Sequence, residues 1–316
     1  MEAEIDRRAL LVGSVALTAA AQARSQNPEP PKIETVPLWL GRPPGGERVT
    51  VQQRAVRRSP TSPPSDIATY GVTRPTLTIV RPRRPNGTAM LLMPGGGYER
   101  VAMESDGGAI PRHFAERGFT VGALLYRLPY DGWAAGPDAP LQDAQRAFRL
   151  LARASGAGTR VGTVGFSAGG HLAGMLATRF AERTYAPIDA TDSLPTRPSF
   201  AGLFFPVVTM TNPYAHEQSR RNLIGRQPSA ERIRRWSVEQ NVSKDMPPTF
   251  VSAATDDRVV PVENSLMLFS AMRRVGAAGA LHIFDKGGHG LGKLTDTSGA
   301  GRFWPELFQD WLSRQT

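Results

Sequence analysis

The sequence predicts an α/β protein in which a mostly parallel sheet is covered by helices on both faces. From residue 76 onward, short apolar runs rich in β-branched residues alternate with runs whose apolar residues recur at helical spacing. The run at 89–93 is apolar throughout, as is typical of a strand that is buried on both faces. With 316 residues, of which 40% are hydrophobic and 21% charged, the chain fits one large domain of this class.

Each predicted element follows from its local pattern. The helix at 141–154 carries Ala144, Ala147 and Leu151 on one face, and Gly118 ends the helix before it. The predicted strands lie at 77–80, 89–93, 119–126, 160–164, 200–208, 249–255 and 280–284, and the predicted helices at 109–117, 141–154, 168–180, 263–275 and 302–314. N-terminal to the first of these strands, short apolar runs among Pro, Arg and Gly predict edge strands and loops.

Residues 1–23 are predicted to be an export signal. A basic pair, Arg7-Arg8, precedes an apolar run at 9–21 that ends in a small-x-small cleavage pattern. The arginine pair also resembles a twin-arginine signal. Because the run is shorter than the about 20 residues that span a bilayer, no stable membrane anchor is predicted. The alternative, a buried N-terminal helix, would be terminated by the proline-rich segment that follows.

The rest of the chain divides into a linker and a domain. Residues 24–34 are rich in proline and polar side chains and are predicted to be the linker. Residues 35–316 are predicted to form a single folded domain. Export would place that domain in the periplasm or outside the cell.

The composition excludes several classes of function. The net charge of +10 comes from scattered basic clusters without interleaved aromatic residues or a nucleic-acid-binding motif, so it predicts a solvated basic surface and no nucleic-acid partner. The chain has no cysteine, which excludes disulfides, a thiolate nucleophile and a cysteine-ligated metal. Any covalent catalysis must therefore use another side chain.

The stretch VGTVGFSAGGH at 161–171 contains a candidate nucleophile, Ser167. Gly165 and Gly169 flank this serine at the positions where a Cβ would collide in a strained turn between a strand and a helix. Because the side chain of Ala168 is small, its own backbone N–H, the first one after the serine, can face a reacting oxygen. The alternative is a glycine-rich turn without a catalytic role. A phosphate-binding loop is disfavoured, because the dinucleotide fingerprint and a Gly-Lys-Ser/Thr ending are both missing.

A second strand end carries three successive glycines, in Pro-Gly-Gly-Gly-Tyr at 94–98. Successive glycines expose backbone N–H groups without side-chain shielding, as an oxyanion hole requires. We therefore predict that the N–H groups of Gly96 and Gly97, together with that of Ala168, form such a hole. The alternative is a flexible turn.

The acid and the base are expected at further strand ends. Asp256-Asp257 follows the strand at 249–255, and Asp257 is the predicted acid. Asp256 is predicted to be a turn or helix-capping residue, and it is the alternative for the acid. His289 lies on a glycine-rich loop beyond the last strand and is the predicted base. The remaining histidines are predicted to be structural: His113, His171, His216 and His282. The resulting order, Ser-Asp-His along the chain, is that of α/β-hydrolases.

The chain resembles a bacterial family of α/β-hydrolase esterases, near the acetyl-xylan esterases and feruloyl-esterase-like enzymes. The resemblance covers about residues 75–315 and rests on Pro-Gly-Gly-Gly-Tyr (94–98), Tyr-Arg-Leu (126–128), Pro-Leu-Gln-Asp-Ala (140–144), Gly-Phe-Ser-Ala-Gly-Gly-His-Leu-Ala (165–173), Asp-Arg-Val-Val-Pro (257–261) and Asn264-Ser265. It implies the α/β-hydrolase fold and hydrolysis of acetylated sugars, xylan side groups or other small carboxylic esters, without a cofactor or metal. Pro94 departs from the pattern, since many related esterases carry His there.

Substrate specificity is expected from two loops, 129–139 and 209–235. Tyr98, Trp133 and Tyr214 are candidates for stacking on a sugar ring, and the alternative for each is ordinary packing. The resemblance also implies a small acyl pocket.

Two other functions share parts of this pattern. A serine exopeptidase uses the same triad, but such enzymes usually carry a propeller or a cap with acidic residues for the peptide amine, and the sequence shows no obvious segment for either. A non-catalytic hydrolase-like binding protein would typically have lost one of the three triad residues, whereas all three are present.

Overall fold

The computed structural model describes residues 31–104, 107–291 and 299–315, so the predicted export signal and residues 24–30 of the predicted linker lie outside the described residues. The strands are β1 (Lys32–Pro37), β2 (Arg54–Arg57), β3 (Ile67–Tyr70), β4 (Thr76–Arg81), β5 (Thr88–Met93), β6 (Val101–Ala102), β7 (Thr120–Leu125), β8 (Arg160–Phe166), β9 (Ala201–Phe204), β10 (Thr249–Ala254) and β11 (Gly279–Phe284). The helices are α1 (Ala109–Ala115), α2 (Ala139–Ser155), α3 (Ala168–Thr178), α4 (Glu217–Ile224), α5 (Ala230–Trp236), α6 (Glu263–Val275) and α7 (Trp304–Ser313). None of these helices has both the length and the apolar character needed to cross a bilayer.

Eight strands form one sheet in the order β1-β4-β7-β5-β8-β9-β10-β11. Neighbouring strands from β7 to β11 are parallel, whereas β4 is antiparallel to both β1 and β7. Among the described residues, β2, β3 and β6 form a second, small antiparallel sheet, in that order, whose strands pair only with one another. The mostly parallel α/β architecture is therefore confirmed. Because parallel strands end at the same edge, the loops after β5, β8, β9, β10 and β11 are close to one another there.

The hydrophobic core occupies both faces of the sheet, and β5 shows how the sequence achieves this. Met90 and Leu92 lie in a buried cluster with Phe114 of α1 and Phe308 of α7. Leu91, between them, belongs to the cluster that includes buried residues of α2 and α3. Successive strand residues point to opposite faces, so a strand that is buried on both faces has to be apolar throughout.

Three segments differ from the prediction. Residues 32–34, predicted as linker, belong to β1 because they pair in antiparallel register with β4. The strand predicted at 200–208 is limited to Ala201–Phe204, because the backbone of Phe205 has a φ of 37° and turns the chain out of the sheet. The segment 209–235, predicted as a loop, contains α4 and most of α5.

A buried ion pair joins the loop after β7 to α2. Arg127 and Asp143 are both fully buried, and the guanidinium Nη2 lies 2.9 Å from a carboxylate oxygen. Asp143 also accepts hydrogen bonds from the backbone N–H of Arg127 (2.8 Å) and from the indole N–H of Trp39 (2.7 Å). The guanidinium lies over Trp133 at 4.8 Å and near Trp39 at 5.4 Å. The arginine of the Tyr-Arg-Leu motif and the aspartate of the Pro-Leu-Gln-Asp-Ala motif are therefore partners in one buried ion pair.

We expect Asp143→Ala to lower the free energy of unfolding by about 3–5 kcal/mol, because it leaves the Arg127 charge buried without its partner. Urea denaturation measures the change. The matched control is Asp310→Ala, which removes the acid of the exposed Arg314–Asp310 pair one helical turn apart and should change stability little. Equal effects of the two variants would contradict a special role for the buried pair.

Candidate active site

Ser167 lies at the junction of β8 and α3, on a strained backbone. Its φ of 55° and ψ of −123° are unusual for a residue with a side chain. The turn is held by hydrogen bonds from the Ser167 N–H to the carbonyl of Phe204 and from the Val207 N–H to the Ser167 carbonyl, both 3.1 Å long. Ser167 as a whole is only 7% exposed. The hydroxyl is therefore presented at the carboxyl edge of the sheet in one fixed direction.

The flanking glycines are required by close packing. A Cβ on Gly165 would lie 2.1 Å from the carbonyl oxygen of Gly169. A Cβ on Gly169 would lie 2.1 Å from the carbonyl oxygen of Met93 and 2.4 Å from that of Pro94, at the end of β5. These distances are far inside van der Waals contact with backbone atoms that cannot rotate away. The segment thus has the geometry of a nucleophile elbow.

Three side chains from three strand ends form one chain of hydrogen bonds. The hydroxyl of Ser167 lies 2.9 Å from His289 Nε2, and His289 Nδ1 lies 2.8 Å from Asp257 Oδ2. Because a carboxylate can only accept, Nδ1 carries the proton in the neutral ring and Nε2 is left as the acceptor for the serine hydroxyl. The structure therefore brings together the three residues that the sequence predicted as a triad, in the tautomer that lets His289 take the serine proton.

Asp257 is held in its ionised form. Burial raises the pKa of this carboxyl, but hydrogen bonds from His289 and from the N–H groups of Val260 and Val259 outweigh burial and hold the pKa below its ordinary value. The side chain of Asp257 is 1% exposed. Asp256, the alternative acid, instead accepts the N–H of Gly288 at 2.8 Å and fixes the loop that carries the histidine.

The glycine turn after β5 passes directly against the nucleophile. A Cβ on Gly95 would lie 3.0 Å from Ser167 Cβ, and Gly96 and Gly97 both have positive φ, 139° and 64°. Within the described residues, the N–H groups of Gly96, Gly97 and Ala168 donate no hydrogen bond. These three backbone N–H groups are consequently free to bind a ligand, and their role as an oxyanion hole stays a prediction.

Comparison with known proteins identifies the family. The BD-FAE family profile matches residues 77–272, which is more than half of the chain. The chain belongs to the BD-FAE family. The crystal structure of an acetyl ester-xyloside bifunctional hydrolase from Caldicellulosiruptor lactoaceticus superimposes with a TM-score of 0.70 at 29% identity, covering 90% of this chain and 97% of that one. These findings confirm the α/β-hydrolase fold that the resemblance implied for this chain.

Two curated relatives are longer proteins. An acetylxylan esterase of Xylanibacter ruminicola is 31% identical over 219 residues, which cover 67% of this chain and 42% of the relative. An endo-1,4-beta-xylanase B of Butyrivibrio fibrisolvens is 32% identical over 231 residues, which cover 70% of this chain and 34% of the relative. This BD-FAE chain therefore spans less than half of the length of either relative.

Two of the three predicted sugar-stacking residues are buried, so that prediction is wrong for them. Tyr98 is 2% exposed and its hydroxyl bonds to Nδ1 of His171 at 2.8 Å. Trp133 is 5% exposed, and its ring packs against the guanidinium of Arg127. A sugar can stack only on an open ring face, and neither ring offers one. Tyr214 is 39% exposed, and its role in substrate binding stays a prediction.

Two further residues lie near the candidate triad without having been predicted as site residues. His216 lies just before α4, with Nδ1 2.8 Å from the hydroxyl of Ser219. Burial lowers the pKa of His216 most, and electrostatic interactions with His289 and Asp257 act on it in opposite directions, so His216 is close enough to the candidate triad to interact with it electrostatically. Nothing local distinguishes His216 from other loop histidines, and only the tertiary fold brings it there.

Asn264 is the other such residue, although the sequence resemblance included it. Its buried Oδ1 accepts the N–H groups of Val208 (2.9 Å) and Thr209 (3.1 Å). Its Nδ2 donates to the carbonyls of Tyr214 (2.8 Å) and Pro261 (3.1 Å). One amide thereby ties the segment after β9 to the loop that carries Asp257. Among the residues that the structure describes, no cluster of three or more His, Asp or Glu side chains could hold a metal ion.

His171 is expected to make stability depend on pH. Burial lowers its pKa from 6.5 to about 4, with partial compensation from its hydrogen bond to the Trp236 carbonyl. The unfolded chain then binds a proton at pH values where the folded chain does not, so stability is complete above about pH 6.5 and falls as the pH drops toward about 4. At about 1.4 kcal/mol per pH unit, this one group accounts for about 3 kcal/mol.

Urea denaturation at about pH 7 and about pH 4.5 measures this effect in the wild type and in His171→Gln, which cannot titrate. The variant should lose clearly less stability on acidification. Identical losses in the two proteins would show that His171 is not the group responsible.

Proposed function

We propose that the protein is a serine esterase that hydrolyses small, acetyl-type carboxylic esters on carbohydrate, such as acetylated xylan or xylo-oligosaccharides, through an acyl-enzyme. The observation that carries this proposal is the continuous chain of hydrogen bonds from Asp257 through His289 to Ser167, with the serine on a strained elbow. Membership of an esterase family and the names of the two curated relatives support the ester and the carbohydrate. The predicted export signal fits a polymeric substrate outside the cytoplasm.

The first half of the reaction forms the acyl-enzyme. Nε2 of His289 takes the hydroxyl proton of Ser167 while Oγ attacks the ester carbonyl carbon. The carbonyl π electrons move onto oxygen, which the N–H groups of Gly96, Gly97 and Ala168 stabilise. Asp257 keeps the imidazole oriented and stabilises its positive charge. The C–O bond of the ester then breaks, and the protonated His289 returns the proton to the leaving sugar hydroxyl.

The second half repeats these steps with water as the nucleophile. His289 takes a proton from water, the hydroxide oxygen attacks the acyl carbon, and the same three N–H groups stabilise the oxyanion. Collapse of this intermediate releases the carboxylic acid and restores the Ser167 hydroxyl. All proton transfers in both halves go through one imidazole, and none needs a metal or an organic cofactor.

We expect Ser167→Ala and Asp257→Asn each to lower kcat on p-nitrophenyl acetate by about 10⁴ or more, because the triad acts as a unit and the asparagine would favour the wrong tautomer. Asp256→Asn is the matched control, since its remaining carbonyl oxygen can still accept the N–H of Gly288, and it should cause only a small loss. Near-normal activity of Ser167→Ala would overturn the proposed mechanism. A larger loss in Asp256→Asn than in Asp257→Asn would reassign the acid.

Acetate release from acetylated xylan and acetylated xylo-oligosaccharides tests the substrate, with Ser167→Ala as the blank. Among p-nitrophenyl esters we expect the acetate to be hydrolysed faster than the butyrate and the octanoate, because a small acyl pocket excludes longer chains. Preference for the octanoate would rule out that pocket. Cleavage of aminoacyl substrates without any acetate release would favour a serine exopeptidase on the same fold.

A further inference from the structure

A buried chain of hydrogen bonds connects the glycine turn to the helix that follows the nucleophile. The hydroxyl of Tyr98 lies 2.8 Å from Nδ1 of His171, and Nε2 of His171 lies 2.7 Å from the carbonyl oxygen of Trp236. We propose that Tyr98 and His171 are positioning residues, which hold the N–H groups of Gly96 and Gly97 in place against Ser167. The proposal rests on the esterase function proposed above.

The direction of each hydrogen bond in this chain is determined. A carbonyl oxygen only accepts, so Nε2 of His171 must carry the proton and donate to Trp236. Nδ1 of the neutral ring is then an acceptor, and the hydroxyl of Tyr98 must donate to it. Complete burial keeps the imidazole neutral, since it lowers the pKa of His171 to about 4. Nothing in the chain of bonds can therefore reverse at neutral pH.

Both ends of the Tyr98–His171 bond are attached directly to parts of the site. Tyr98 follows Gly97 in the chain and has a φ of 56°, so the bond fixes a backbone that is itself strained. The N–H of His171 donates to the carbonyl of Ser167 at 3.1 Å, one turn along α3. The path from the Gly96 and Gly97 donors to Ser167 therefore contains two hydrogen bonds, one between the side chains of Tyr98 and His171 and one between the backbones of His171 and Ser167.

Two other hydrogen bonds hold the same turn from different elements. The hydroxyl of Tyr126 donates to the carbonyl of Pro94 (2.8 Å), and Nδ2 of Asn222 in α4 donates to the carbonyl of Gly97 (2.9 Å). Of these three side-chain contacts, the bond from Tyr98 is the one that leads to α3, where Ala168 supplies the third N–H. The Tyr98 bond thus links the two groups of donors through side chains, in addition to the backbone contact of Gly169 with the end of β5.

The distance between the donors matters because they stabilise the transition state more than the bound ester. They must lie about 2.7–3.1 Å from the developing oxyanion, and three successive glycines have many alternative conformations. Misplacement by about 1 Å can cost on the order of 10²-fold in rate. The loss should appear in kcat, since the ground-state ester makes weaker use of the same donors.

The test is Tyr98→Phe, which removes one hydroxyl and keeps the ring. With p-nitrophenyl acetate we expect kcat to fall by about 10- to 100-fold while KM stays within about 2-fold. Affinity for a boronic acid that forms a tetrahedral adduct with the serine should fall by a similar factor.

Rescue and control variants separate positioning from stability. In His171→Gln the amide can accept from Tyr98 through Oε1 and donate to Trp236 through Nε2, so its kcat should be close to wild type. In His171→Leu neither bond can form, and kcat should fall as in Tyr98→Phe. The matched control is Tyr185→Phe, which removes another mostly buried tyrosine hydroxyl, one that bonds to Asp192 and Arg149. It should lower the Tm without changing kcat.

If Tyr98→Phe lowers the Tm as Tyr185→Phe does but keeps kcat within about 2-fold, the bond is only structural and the proposal is wrong. An effect on KM alone, or equal losses in His171→Gln and His171→Leu, would also overturn it. Failure of the proposed function is a separate result, because it would show as wild-type activity that survives in Ser167→Ala. Activities are compared per folded protein, with the folded fraction measured by circular dichroism.

Discussion

The strained backbone of Ser167 is the constraint on which the rest of the site depends. The turn can exist only because Gly165 and Gly169 lack a Cβ, and Gly169 packs against the carbonyl oxygens at the end of β5. That contact brings α3 onto the start of the glycine turn. One close approach of backbone to backbone therefore fixes both the turn that carries the Ser167 side chain and the start of the glycine turn beside it, so the two features cannot vary independently.

The loops that carry Asp257 and His289 are joined to each other by contacts that do not involve Ser167. Ala254 and Phe284 are register partners at the ends of β10 and β11, and the N–H of Thr255 continues the pairing to Phe284 at 2.8 Å. Asp256 extends this contact to the N–H of Gly288. The loops that carry Asp257 and His289 thus form one unit, and the tautomer of the imidazole is set within that unit. The strand order of the sheet places this unit next to Ser167, where His289 contacts the serine hydroxyl.

Strand ends could be predicted well from the sequence, because their signals are local. A buried strand followed by glycines or an acid identifies a loop at the carboxyl edge, and the order of such loops along the chain predicted Ser167, Asp257 and His289 as neighbours. The burial of Tyr98 and Trp133 depends on partners far away in sequence. An aromatic residue in a loop has the same local pattern whether it contacts a sugar or His171. The helices α4 and α5 escaped prediction since their apolar residues are few and their packing is tertiary.

The segment that contains these two helices contacts both the glycine turn and the helix that follows Ser167. The segment from the end of β9 to Trp236 contains the exposed Tyr214 and the half-buried His216 beside the triad. The same segment donates to the Gly97 carbonyl through Asn222 and accepts from His171 at Trp236. A substitution that reshapes this segment would therefore also move groups that hold the glycine turn.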